Sequence, residues 1–234
     1  LKLDAEKFRA SHFSSIYNFH EIDLAKRDWS NILDHRAVAI RSCMGTNKTK
    51  GVIYDLVKRA KAEDKSVLII TPLVAVTLQI AEEVGIAHYH SFGTSPEQKK
   101  RVFAELPHLA VCYQSLGLYE EMGIIPEFDI VIIDEASQCN IAHILPIAYR
   151  AKRMLVVGDP NQLPPIVQVG RKTVNSIADL SEMRQAIAGN PGLDFLDGSA
   201  YFGFEGSVGR ENVTLLNEHY RCHPKIARWF NEAF

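Results

Sequence analysis

Five residues of this chain, Lys48, Thr49, Asp134, Glu135 and Gln162, have types and spacings suited to chemistry on a polyphosphate. The apolar run Phe128-Asp129-Ile130-Val131-Ile132-Ile133 leads straight into Asp134-Glu135-Ala136-Ser137-Gln138. A second run, Met154-Leu155-Val156-Val157, opens into Gly158-Asp159-Pro160-Asn161-Gln162-Leu163-Pro164-Pro165. An acid at a strand end can hold a divalent cation, and the next acid can orient or deprotonate water. A Gln amide both donates and accepts, so Gln162 can report whether a terminal phosphate is present. Pro164 and Pro165 stiffen the segment behind it into a lever. The bland alternative is a pair of solvated acids and a Pro-rich turn, which leaves the two apolar runs unexplained.

Upstream, Arg41-Ser42-Cys43-Met44-Gly45-Thr46-Asn47-Lys48-Thr49 follows a short apolar strand. Lys48 and Thr49 fill the last two positions of the phosphate-loop pattern GxxxxGK[ST]. Backbone N–H groups of Gly45, Thr46 and Asn47, with the helix start behind them, would cradle phosphates. Lys48 would reach the β- and γ-phosphates, and Thr49 would bind Mg²⁺. Ser42 and Asn47 stand where the pattern has Gly. A Cβ obstructs conformations and close approaches that Gly allows, although Asn tolerates the left-handed region better than most residues. Near the end, Asn217-Glu218-His219-Tyr220-Arg221-Cys222-His223-Pro224 offers Arg221 as positive charge delivered across a cleft.

Several elements must position these groups. Strands are expected at Ala37–Ile40, Val67–Ile70, Leu109–Tyr113, Ile130–Ile133, Met154–Val157 and Val213–Leu216. Helices are expected at Lys48–Ala62, Val74–Val84, Pro96–Leu106 and Ile141–Tyr149. Near-continuous Val/Ile/Leu strands alternating with helices predict an α/β fold, a parallel sheet covered on both faces. Ligands of such sheets sit at the carboxyl ends of the strands, where all the motifs above fall. Residues 1–36 read as an N-terminal appendage and 37–212 as the main domain. Within it, 166–212 reads as an irregular insertion, with a helix over Asn175–Ala188. The Gly- and Phe-rich stretch Gly189–Gly209 is expected to be a surface excursion, with a ligand clamp as the alternative.

Composition narrows the class. The chain has 234 residues, 47% hydrophobic and 23% charged, with a formal net charge of -2, so total charge does not announce a nucleic-acid binder. Cys43, Cys112, Cys139 and Cys222 form neither a CxxC nor a zinc-finger spacing, which suggests free thiols in a reducing compartment. No stretch approaches the ~20 apolar residues of a membrane span, and no secretory leader opens the chain. An intracellular, cytoplasmic protein without a membrane partner is expected. The chain opens on Leu1 and closes on an apolar-faced run, which reads as a piece of a longer protein.

The ordered set DEASQ, GDPNQLPP and HYRCHP resembles motifs II, III and IV of superfamily 1 helicases. The most similar branch contains the nonsense-mediated-decay helicase and its bacterial relatives, and the resemblance runs from about Ala37 to Phe234. It implies a RecA-like P-loop NTPase fold, with ATP between two such domains and single-stranded DNA or RNA across their tops. It carries Lys48, Thr49, Asp134, Glu135, Gln162 and Arg221 into the nucleotide site. Thr71-Pro72-Leu73 matches motif Ia, and Gln114-Ser115-Leu116 follows a strand like the next strand-contacting motif. Thr71, Pro72, Ser115 and Pro164 are therefore the candidate nucleic-acid contacts, through phosphate and sugar. No Gln precedes the first strand, so the family's adenine-reading Gln has no match. Residues 213–234 would begin the second RecA-like domain, truncated here, and the rest of that domain would be a partner. The expected function is an ATP-dependent motor. The rival is a nucleic-acid-binding scaffold whose loop, altered at Ser42 and Asn47, cannot turn over ATP.

Overall fold

The computed structural model describes residues 36–42, 48–92, 95–121, 123, 127–167, 169–180, 183–208 and 213–216. Its strands are β1 (Ala37–Ser42), β2 (Val67–Thr71), β3 (Ala87–His88), β4 (His108–Cys112), β5 (Ile130–Ile133), β6 (Arg153–Gly158) and β7 (Val213–Leu216). They form one sheet in the order β3-β4-β2-β5-β6-β1-β7, and every described pairing is parallel. The helices are α1 (Tyr54–Ala62), α2 (Val74–Val84), α3 (Pro96–Glu105), α4 (Gly117–Glu121), α5 (Ile141–Arg150), α6 (Arg171–Leu180), α7 (Met183–Gly189) and α8 (Ala200–Val208).

The alternation of side chains along each strand divides the core in two. Val38, Ile40, Val67, Ile69, Ile130, Ile132, Leu155 and Val157 bury one face of the sheet under α1 and α2, which contribute Leu56, Val57, Ala60, Ile80 and Val84. Leu68, Ile70, Leu109, Val111, Val131, Ile133, Met154 and Val156 fill the other face. There they meet Val102 of α3, Tyr119 of α4, Ile141, Ile144 and Ile147 of α5, and Ala200 and Tyr201 of α8. Both faces are dry, so the strands are apolar throughout rather than alternating with polar residues.

Local chemistry sets the helix ends. Ser95 caps α3 by accepting from the Gln98 N–H at 3.2 Å, with Pro96 in the first turn. Asn140 caps α5 by accepting from Ala142 N–H at 2.9 Å. Gly85, left-handed at φ 66°, stops α2.

The expected α/β layout holds, and one detail is corrected. The segment over Gly189–Gly209 is not a surface excursion: it ends in α8, whose Tyr201 is fully buried in the core. Its glycines permit this, because a Cβ on Gly203 would meet the Ile141 side chain at 2.9 Å and one on Gly198 would strike the backbone of Gly192. The helix expected over Asn175–Ala188 is described as α6 and α7, on either side of residues 181–182, which lie outside the described residues. Val213–Leu216 is β7 and pairs with β1, Ala39 opposite Val213 and Ser42 opposite Leu216, and the rest of the expected second-domain start, residues 217–234, lies outside the described residues. The two-residue β3 escaped prediction because it is too short to show a period. The N-terminal appendage lies outside the described residues, apart from Arg36.

Candidate nucleotide site

Connections leaving β1 and β6, adjacent in the sheet, run in opposite directions: β1 leads to β2 and β6 to β7. That reversal opens a crevice at the carboxyl ends of the strands. β1, β5 and β6 lie side by side there and deliver the three motifs to one place.

Lys48 follows β1 and starts the helical segment behind it with helical backbone angles, φ -54° and ψ -37°. A π-type turn, Thr49–Ile53, links it to α1, a widening often found at functional sites. Thr49 is half-buried in the first turn. The Lys48 side chain crosses to the end of β5. Its Nζ donates to Glu135 Oε1 at 2.6 Å and lies 3.5 Å from Asp134 Oδ1, an ion pair without a hydrogen bond. Burial alone would lower the Lys48 pKa, but the two carboxylates outweigh it and the ammonium is held above its ordinary value. Burial raises the Asp134 carboxyl, and Glu135 adds to that, while Lys48 opposes it.

Asp134 continues the β5 ladder by donating its N–H to Ile70 O at 2.9 Å, which puts its carboxylate at the rim. Glu135 then turns left-handed, φ 53° and ψ 40°, a conformation costing a non-glycine residue about 1–3 kcal/mol. The strain redirects the chain so that adjacent acids of one strand end reach the same lysine. A short 3₁₀ turn, Ala136–Gln138, is closed by the Gln138 N–H donating to Glu135 O at 2.9 Å.

After β6, Asp159 is buried, and its Oδ1 accepts from Asn161 N–H at 3.0 Å. Its carbonyl accepts from Gln162 N–H at 3.0 Å, folding the loop back toward β5. Gln162 Oε1 accepts from Gln138 Nε2 at 2.6 Å. Four buried polar atoms around this crevice have no hydrogen-bond partner: Asp134 Oδ1, Glu135 Oε2, Ser137 Oγ and Gln162 Nε2. Buried polar groups without partners call for an explanation, and a polar ligand at this edge of the sheet would supply one. Oxygen donors at Asp134 and Thr49 suit a hard cation such as Mg²⁺, and the Gln162 amide and Lys48 ammonium suit phosphate oxygens. The residues present therefore fit a Mg²⁺-nucleoside triphosphate.

Ser42, which replaces the first Gly of the pattern, is the last residue of β1 and fully buried. Among described non-glycine residues only Asp64 and Glu135 have positive φ, so position 42 does not need glycine for its backbone. Gly45, Thr46, Asn47 and Arg221 lie outside the described residues.

The strand-contact candidates separate. Thr71 and Pro72 are buried. The Thr71 hydroxyl pairs with Thr77 Oγ1 at 2.6 Å and, at 3.3 Å, with Leu73 O, so it ties β2 to α2. Burial of both side chains leaves their backbone as the means by which Thr71 and Pro72 would touch phosphate or sugar. Leu73, next along, is 55% exposed. Ser115 is half-buried in the turn Tyr113–Leu116 at the end of β4. Pro164 is exposed between Leu163 at 84% and Ile166 at 92%, so the loop behind Gln162 presents apolar side chains to solvent. Sequence reasoning assigned no role to Gln138, Ser137 or Tyr201. The first two sit inside the quoted motif, but nothing local signals Tyr201, whose ring lies against Gly158.

A parallel sheet in this order, with Lys48 and the two acids joined at its carboxyl edge, defines an α/β P-loop domain of RecA-like kind. Residues 115–169, which contain both acidic and Gln loops, match the AAA domain family. The chain is 58% identical over 114 residues to Helicase SEN1 of Saccharomyces cerevisiae, covering 48% of this chain and 4% of that protein. It is 36% identical over 139 residues to "Probable helicase senataxin" of Homo sapiens, covering 56% of this chain and 5% of that protein. The Pyrococcus furiosus Hef helicase domain aligns with 64% of this chain and 34% of its own, at 18% identity and a TM-score of 0.46. The relatives bear out the resemblance to superfamily 1 helicases, and the nonsense-mediated-decay branch is consistent with them. No described helix is long and apolar enough to cross a membrane.

Proposed function

We propose that this chain is the nucleotide-binding part of an ATP-dependent DNA or RNA helicase, its first RecA-like motor domain. The observation that carries the reading is the convergence of Lys48, Asp134, Glu135 and the Gln138–Gln162 pair at one edge of the sheet. Lys48 would leave Glu135 for the β- and γ-phosphates of ATP, and Thr49 and Asp134 would hold Mg²⁺. The cation would supply charge neutralisation along the phosphates. Glu135, released from Lys48, would accept a proton from the attacking water, and Gln162 would donate to the γ-phosphate. Gly45, Thr46 and Asn47 would add backbone donors, and Arg221 positive charge from across the cleft. Single-stranded DNA or RNA would cross the carboxyl edge past Ser115 and Pro164, completed by a second RecA-like domain from the same protein. Those partners would call for a protein inside the cell.

The unneeded glycine at position 42 weighs against the scaffold rival. Glu135→Gln removes the base but keeps its shape, so ATP turnover should fall by about 10²–10⁴-fold while Mg²⁺-ATP binding persists. Lys48→Ala should abolish tight triphosphate binding. Turnover by Glu135→Gln at the parent rate, or binding indifferent to Lys48, would refute the proposal.

A further inference from the structure

Gln138 closes the acidic loop and has no part in the chemistry above. Its side-chain N–H₂ nevertheless spans to the other motif loop, 24 residues on, and donates to Gln162 Oε1 at 2.6 Å. An amide has one oxygen and one N–H₂ group. With its oxygen engaged by Gln138, Gln162 must present its N–H₂ the other way. That nitrogen is buried and has no hydrogen-bond partner, and the same holds of Asp134 Oδ1 and Glu135 Oε2 at the neighbouring strand end. Gln138 is itself fixed through its backbone, because its N–H donates to the carbonyl of left-handed Glu135. The acidic loop is thereby closed on itself by the Glu135–Gln138 bond and tied to the Gln-bearing loop by the Gln138–Gln162 bond.

We infer that Gln138 is a positioning residue that sets the rotamer and amide orientation of Gln162, so that Gln162 donates to a terminal phosphate and distinguishes a nucleoside triphosphate from a diphosphate. The inference rests on the nucleotide-site reading above. Gln138 touches no phosphate. It acts by engaging Gln162 Oε1 with its own N–H₂, which holds the rotamer and leaves the Gln162 N–H₂ for the phosphate.

The test is equilibrium binding of Mg²⁺-ATPγS and Mg²⁺-ADP to the 234-residue chain and five variants, three single and two double, with melting temperature checking the fold. Gln138→Met keeps size and removes the donor without adding charge. Gln138→Glu replaces the donor with an acceptor that pulls the Gln162 N–H₂ away from the site. Both should lose about tenfold of the triphosphate-over-diphosphate preference while ADP affinity stays within about twofold, the size expected of one hydrogen bond to a charged acceptor. In a Gln162→Ala background, neither substitution should have a further effect. A parent with no preference for triphosphate would overturn the nucleotide-site reading, and this inference with it. A parent that discriminates while Gln138→Met discriminates equally would overturn only the role of Gln138. So would a loss seen with Gln138→Glu alone, which is then a charge effect, or losses that persist without the Gln162 amide.

Discussion

Gly158, the last residue of β6 before the Gln-bearing loop, has no room for a side chain. A Cβ there would lie 2.6 Å and 2.9 Å from Cδ2 and Cγ of Tyr201, and 2.8 Å from Ser137 Oγ. The nearer ring carbon would have to retreat by roughly 0.8 Å to reach an ordinary contact of 3.4 Å. The ring cannot do so alone. It is fully buried against the sheet, and its hydroxyl donates to Glu205 Oε1 at 3.3 Å, one turn along the same helix. Gly158→Ala must therefore shift α8 or bend the end of β6, at a cost of about 1–3 kcal/mol. For a domain of this size, about 2 kcal/mol lowers the melting temperature by roughly 4–8 °C. Because β6 leads directly to Asp159 and Gln162, triphosphate binding should weaken as well. Tyr201→Ala removes the obstructing ring carbons and is itself destabilising, by about 3–5 kcal/mol. The informative quantity is the coupling. In the Tyr201→Ala background, the cost of adding a methyl at position 158 should fall by about half, with the Ser137 contact remaining. The measurement is a double-mutant cycle by urea denaturation with melting curves alongside. If Gly158→Ala melts like the parent, or if its cost is the same with and without the Tyr201 ring, the seating of α8 beneath the Gln loop is wrong.

Two further outcomes follow from the geometry. Thr71→Val removes the Thr71–Thr77 bond but leaves the Thr77 hydroxyl donating to Leu73 O at 3.0 Å, so it should cost about 0.5–1.5 kcal/mol in denaturant unfolding, the size of one hydrogen bond. A loss of strand affinity without any loss of stability in Thr71→Val would instead return that side chain to a contact role. Asp129 accepts from Lys152 Nζ at 2.7 Å and from the N–H and hydroxyl of Ser66, each at 2.9 Å, and these hold its carboxyl down to about 2. Its folded pKa lies below the unfolded value of about 3.9, so its contribution is complete above that value and disappears as pH falls toward 2. Asp129→Asn should flatten the stability profile across that acid range and leave its shape above about pH 5 unchanged. An identical acid limb in parent and variant would remove Asp129 from the account.

The architecture was legible because its signals are local. Val67–Thr71, Ile130–Ile133 and Arg153–Gly158 are runs of β-branched and apolar residues bounded by turn formers, and their lengths match strands buried on both faces. Lys48, Asp134, Glu135 and Gln162 were legible for a related reason, since each stands where an apolar run ends and a parallel sheet puts such ends on one edge. Gly189–Gly209 misled because glycine marks an open loop and a tight contact alike. Only the neighbours tell them apart, as Ile141 does at Gly203. The pairing of Thr71 with Thr77 was not legible, because a threonine after a strand suits a phosphate as well as it suits another hydroxyl.

What the amino-acid order determined by itself was the set of strands and helices, where they stop, and which chemical groups stand at those stops. Tertiary structure alone decided who meets whom. Lys48 finds Glu135 across 87 residues, Gln138 finds Gln162 across 24, and Tyr201 of α8 fills the space at Gly158. Periodicity and turn chemistry act over a few residues, whereas these meetings depend on strand order and on the face to which each crossover returns. Burial of the two faces of the sheet sets both for the whole chain at once, so no short segment carries them.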